Sequence, residues 1–137
     1  MTLELWSLLG CSVLVASLWI PYIVGVNLHL PHTEAPGLRP PDTRLLPDWV
    51  QRANRAHINL VEQFAPFAAL VLLSTLTGLS SPMIGWAAIA FLGLRIAHAI
   101  GYITARAQLP LRPIIFTGAW LCLCIIAFEI ARLALMT

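Results

Sequence analysis

Four apolar runs, each about the 20 residues that a helix needs to cross a hydrocarbon core roughly 30 Å thick, take up most of this chain. They extend from about Leu5 to Val26, Ile58 to Leu79, Met83 to Ile103 and Ile114 to Met136. Only helices and closed barrels satisfy every backbone group inside lipid, and barrel strands are far shorter than these runs. The expected fold is an all-α integral membrane protein, one domain over residues 1–137, built as a four-transmembrane-helix bundle. Composition agrees. The chain is 59% hydrophobic and 10% charged, with a mean hydropathy of +0.84, whereas a soluble domain is about 25% charged.

The same composition excludes several classes. A net charge of +2, carried by scattered arginines and no lysine, is too weak and too dispersed for a nucleic-acid footprint. Cys11, Cys122 and Cys124 lie inside apolar runs without zinc or disulfide spacing, and a two-residue separation turns Cys122 and Cys124 to different helix faces. The first run has no basic segment before it and no A-x-A-like cleavage site, so a retained first span is expected rather than a signal peptide.

The connections differ. Residues 27–51 are rich in proline (Pro31, Pro36, Pro40, Pro41, Pro47) and read as a loop. Ser80-Ser81-Pro82 is a tight turn between the second and third spans, and the third loop holds Arg106, Pro110, Arg112 and Pro113. Loops one and three carry Arg39, Arg44, Arg52, Arg55, Arg106 and Arg112, against Arg132 at the other end. The positive-inside rule then predicts loops one and three in the cytoplasm and both termini on the opposite side. The host would be the inner or plasma membrane in a bacterium, or the endoplasmic reticulum in a eukaryote.

Polar groups inside the second and third spans carry the functional argument. Arg52, Arg55, Asn59, Glu62 and Pro66 follow spacings of three and four and form one helical stripe. A charge at bilayer depth costs about 2.5–3.5 kcal/mol even on lenient insertion scales, so the stripe must face another helix, another subunit or water. Pro66 frees a carbonyl one turn back and is expected to kink the helix. Arg95, His98 and Tyr102 repeat the pattern in the third span, and Glu62 is the acid nearest in depth to Arg95. Arg112 opens the fourth span. Together these residues suggest a cationic, hydrogen-bonding pocket with apolar walls. Such a pocket suits a small anionic ligand that meets a lipophilic partner, and glutathione, with two carboxylates, an ammonium group and a thiol, has that character.

The stretches RAHINLVEQFAPF (Arg55 to Phe67) and RIAHAIGY (Arg95 to Tyr102), in this order within a four-span chain, resemble the MAPEG family, the membrane-associated proteins of eicosanoid and glutathione metabolism. The motif similarity is strongest to its microsomal glutathione transferase and prostaglandin E synthase branches, with a bacterial-type branch equally open. The resemblance implies a homotrimer with glutathione as co-substrate between neighbouring subunits, beside a lipophilic small molecule and membrane lipid. It places Arg55, Asn59 and Glu62 on glutathione's polar ends, with Glu62 on the ammonium group. Arg95, His98 and Tyr102 would line the same pocket, and Arg112 would be the catalytic residue that stabilises the thiolate. No metal is implied. The chain departs from the prostaglandin synthase pattern at Ile58, Pro113 and Phe116, and in a longer third loop. VGVNLHLPH also lacks a basic residue that several members use, for which Arg39 is a candidate substitute.

The implied activity is transfer of glutathione thiolate to lipophilic electrophiles, or reduction of lipid hydroperoxides. Other readings stay open at this stage: an inactive membrane scaffold of the same fold, a small four-helix transporter using Glu62, and a haem protein using His57 and His98. The stripe could be structural pairing in an oligomer core, Arg112 an interfacial anchor, and His57 a structural hydrogen-bonding group. His29 and His32 have a metal-like spacing interrupted by Pro31, and read as solvated loop histidines. Arg39, Arg44, Asp42 and Asp48 read as loop salt bridges. Glu129 and Arg132 should pair locally, and the tryptophans should serve as belt or packing residues.

Overall fold

The computed structural model describes residues 1–30 and 42–136. Five α-helices follow in order: α1 (Leu3–Leu18), α2 (Ile20–His29), α3 (Asp48–Thr77), α4 (Pro82–Ile103) and α5 (Leu111–Ala134), with a short 3-10 turn at Thr43–Leu45. Leu3–His29, Asp48–Thr77, Pro82–Ile103 and Leu111–Ala134 are each long and apolar enough to cross a membrane. This makes the chain an integral membrane protein with four spanning segments.

Two helix boundaries depart from the apolar runs. The first span is interrupted at Trp19, because Pro21 has no N–H to donate to the Ser17 carbonyl. The second span begins at Asp48 rather than near Ile58. Hydropathy marks where lipid begins, not where helix begins, and Gln51, Arg52 and Arg55 are good helix formers. The polar start of α3 is therefore a rigid extension of the spanning helix. Pro66 sits inside α3 without ending it.

Local chemistry sets the turns. Gly78, in the left-handed region at φ 70°, closes α3, and Ser81 caps α4 by accepting the Ile84 N–H at 3.4 Å, with Pro82 opening the helix. At the other end of α4 the chain folds back on itself. Ala105 adopts φ 58°, and the Ala107 N–H donates to the Gly101 carbonyl at 2.9 Å. A β-carbon on Gly101 would stand 2.7 Å from that of Ala107. Ala105→Gly should relieve the left-handed strain and raise stability by about 0.5–1 kcal/mol. Gly101→Val should lower it by about 1–3 kcal/mol. Melting of both variants in detergent checks the opposed signs.

Helix α4 is the hub, packed against α1, α3 and α5. Its small residues Gly85, Ala87 and Ala88 are buried, which allows close approach of neighbouring helices. Phe67 and Phe91 stack at 4.3 Å between ring centroids, in a core shared with Cys11, Val71, Ile84, Ala119 and Ile126. Cys122 is buried and Cys124 exposed, as their spacing implies. At the end opposite the arginine-rich loops, Arg132 donates to both carboxylate oxygens of buried Glu129 at 2.8 and 2.7 Å, the expected local pair. Buried Glu4 accepts from the Ser80 hydroxyl at 2.9 Å. Trp6, Trp19, Trp86 and Trp120 are exposed on the outside of the bundle.

The expected loop position of His29 needs correcting. His29 ends α2, where Nδ1 lies 2.9 Å from the Gly25 carbonyl and the ring meets Trp49 edge-on at 5.9 Å. It is therefore a helical residue rather than a loop one, and it is exposed, as expected. Asp42 accepts the backbone N–H of Arg44 at 2.9 Å, a local turn bond typical of aspartate, and among the described residues neither Asp42 nor Asp48 forms an ion pair. His32 and Arg39 lie outside the described residues.

Candidate functional site

A groove runs along the face where α3 meets α5 and the last turns of α4, from the arginine-rich end towards the middle of the bundle. The α3 stripe forms one wall. Nearest the end, Asp48, Gln51, Arg52, Arg55 and Tyr102 surround a hollow of about 210 Å³. There the Arg52 Nε–H donates to the Ile103 carbonyl at 3.2 Å and ties the start of α3 to the end of α4. One turn deeper, Gln51, Asn54, Arg55, Ile58, Asn59 and Arg112 line a cavity of about 360 Å³. Asn59 and Arg112 also border the next cavity, of about 370 Å³, with His98, Pro113 and Phe116. The deepest section, about 400 Å³, lies between Glu62, Gln63, Pro66 and Leu70 on α3 and Trp120, Leu123 and Cys124 on α5. Each of the three larger cavities has the size of a small-molecule site. The groove changes from polar to mostly apolar along its length.

Arg112 is the best-defined cation here. It lies in the first turn of α5, with its guanidinium 4.2 Å from the centroid of the Tyr102 ring. His98 stacks on the same Tyr102 ring at 5.7 Å and meets Phe116 at a tilt at 6.1 Å. The aromatic face positions the charge without neutralising it. The only ion pair among the described residues is Glu129–Arg132, far from the groove. Among the described residues, Arg55, Glu62 and Arg112 therefore present their charges to the groove without an ion-pair partner. The start of α5 adds the positive end of a helix dipole beside Arg112, so both features favour an anion.

Arg95 behaves differently from the sequence expectation. It is 1% exposed, yet its partner is not Glu62. Its Nη2–H donates to Oε1 of Gln63 at 2.9 Å, and its guanidinium lies 5.5 Å from the Phe91 ring and 5.2 Å from the Phe116 ring. Consecutive helix positions are about 100° apart, so the turn that points Gln63 at α4 points Glu62 into the groove, where it is exposed. Arg95 stands behind the groove wall rather than in it.

The structure thus brings Arg55, Asn59, His98, Tyr102 and Arg112 to adjoining cavities with shared walls, places Glu62 on the further cavity between α3 and α5, and leaves Arg95 behind the wall. Sequence reading missed Gln63, Gln51 and Asn54. Gln63 lies one residue off the strict stripe, and the signal that could have found it is that a buried guanidinium needs an oxygen acceptor at its own depth. His57 is half-buried and makes no side-chain hydrogen bond among the described residues.

No individually curated protein matches the sequence. The model of the MAPEG family does match, along residues 5–132, nearly the whole chain, and the protein belongs to that family.

Proposed function

We propose that the protein is a glutathione-dependent membrane enzyme that adds glutathione thiolate to lipophilic electrophiles or reduces lipid hydroperoxides, working as a homotrimer in which a neighbouring subunit closes the groove. Members of the family include glutathione-dependent transferases. The observation that carries the reading is the convergence of Arg55, Asn59 and Arg112 on one cavity, with neither arginine in an ion pair among the described residues. A tripeptide with two carboxylates supplies the missing negative charge, and Glu62 further along the groove takes its ammonium group. Arg112, held over Tyr102, favours the thiolate over the thiol, since a fixed cation stabilises the charged form, and the thiolate is the nucleophile. The apolar section along Leu70, Trp120 and Leu123 receives the lipophilic partner directly from the bilayer. Loops one and three face the cytoplasm, where glutathione is supplied.

Equilibrium binding of glutathione to the detergent-purified protein tests this reading. Saturable binding at or below millimolar concentration is the expected result, with three copies per particle by light scattering. No binding at millimolar glutathione would leave the family fold serving another thiol, or serving as a scaffold without chemistry.

A further inference from the structure

Gln63 is half-buried and borders the mostly apolar end of the groove, together with Leu70, Trp120 and Leu123. Its orientation is fixed by chemistry rather than by choice. A guanidinium has donors and no acceptor, so the amide must turn its oxygen to Arg95, as the 2.9 Å bond shows. The amide NH2 is left at the other end. Among the described residues it meets no acceptor, and the buried side-chain atoms without a partner are Nε and Nη1 of Arg95 alone. The Gln63 NH2 therefore opens into the groove. A positive group on the amide oxygen draws electron density away from the nitrogen and strengthens its N–H donors. Behind it, the Arg95 charge is met by two aromatic faces and no carboxylate, so its field reaches forward to the same place.

Resting on the glutathione reading above, we infer that Gln63, positioned by buried Arg95, is a substrate-contacting donor that selects electrophiles with an oxygen conjugated to the reacting carbon, namely α,β-unsaturated aldehydes and ketones with an apolar chain. Geometry supports this class. Asn59, which shares its cavities with Arg112, lies one helical turn before Gln63, about 6 Å along α3. A thiolate held at the Arg112 level and a carbonyl oxygen at the Gln63 level bracket a conjugate acceptor, whose oxygen is three bonds from the carbon attacked. The sulfur electron pair forms the C–S bond at the β-carbon. The C=C π pair shifts to make a new double bond to the carbonyl carbon, and the carbonyl π pair moves onto oxygen as an enolate. The Gln63 N–H groups and the Arg95 field stabilise that oxyanion as it develops. Water then protonates the α-carbon, the hydroxide left behind is neutralised by the proton that the thiol released on ionising, the carbonyl re-forms, and the product is the saturated thioether. An alkyl halide of equal chain length develops no such oxygen and gains nothing from Gln63.

The test compares kcat/KM for a medium-chain 2-alkenone with that for a chain-matched primary alkyl halide, in wild type, Gln63→Glu, Gln63→Leu and Arg95→Met. Gln63→Glu is the decisive variant, because a carboxylate keeps Arg95 paired while offering no donor. The enone-to-halide ratio should fall about 20-fold in Gln63→Glu and Gln63→Leu, in kcat for the enone rather than in KM for glutathione, consistent with loss of a bond to a charged group. Arg95→Met frees the amide to turn and should lower the same ratio. A ratio unchanged in Gln63→Glu, in a protein active on both compounds, overturns this inference alone. A wild type that binds glutathione but conjugates neither compound overturns it together with the transferase reading.

Discussion

Arg112→Ala should reduce kcat/KM for glutathione conjugation by about 10²–10³-fold, the scale seen when one preorganised group is withdrawn from developing or reacting charge. Affinity for glutathione should fall much less, because Arg55, Asn59 and Glu62 remain on the groove. The physical basis is the placement of Arg112 over the Tyr102 ring at 4.2 Å, which aims the cation while leaving its charge unspent. Arg112→Lys should recover part of the loss, since it keeps the charge but not the planar stacking. Tyr102→Leu should resemble a weak form of Arg112→Ala, because it removes the surface that holds the guanidinium. Steady-state kinetics with a lipophilic electrophile, set beside equilibrium binding, separates the two effects. Equal loss of binding and turnover in Arg112→Ala would make this residue an anchor for a carboxylate rather than the group that holds the thiolate.

Glu62→Gln should weaken glutathione binding about 30-fold, the value of one charge-assisted hydrogen bond. It should leave binding of the analogue without the α-amino group nearly unchanged. Glu62 is exposed in the groove and pairs with no cation among the described residues. Pro66, four residues on, has no N–H to give to the Glu62 carbonyl, so the helix's usual bond to that carbonyl is missing. The comparison of the two ligands decides the matter by calorimetry: equal losses for glutathione and its des-amino analogue would assign Glu62 to the structure of α3 and not to the ligand.

The sequence was most informative where lipid is the constraint. A charged stripe at spacings of three and four cannot face hydrocarbon, so the groove-facing positions of Arg55, Asn59 and Glu62 were readable before any coordinates, and so was the Glu129–Arg132 pair. Less readable were features set by the phase of one helix against another. Arg95 was expected on an acid or a polar ligand because a buried cation usually needs one, but within the chain a neutral amide and two aromatic rings meet it, and this depends on which of Glu62 and Gln63 rotates towards α4. The start of α3 at Asp48 was hidden for a different reason: apolar length reports the bilayer and is blind to a helix that continues beyond it. Phe116, seen in the sequence as a departure from a family pattern, has a physical role that only packing reveals, as the ring standing between Arg95 and the groove.

The central claim is that this groove holds glutathione as a thiolate next to Arg112. Ultraviolet difference absorbance of the thiolate, recorded as glutathione is added to the purified wild-type protein at neutral pH, tests it most directly. The account predicts a saturating thiolate band whose midpoint matches the binding isotherm and which Arg112→Ala abolishes while glutathione still binds. Glutathione that binds to saturation as the protonated thiol, with no thiolate band, would contradict it.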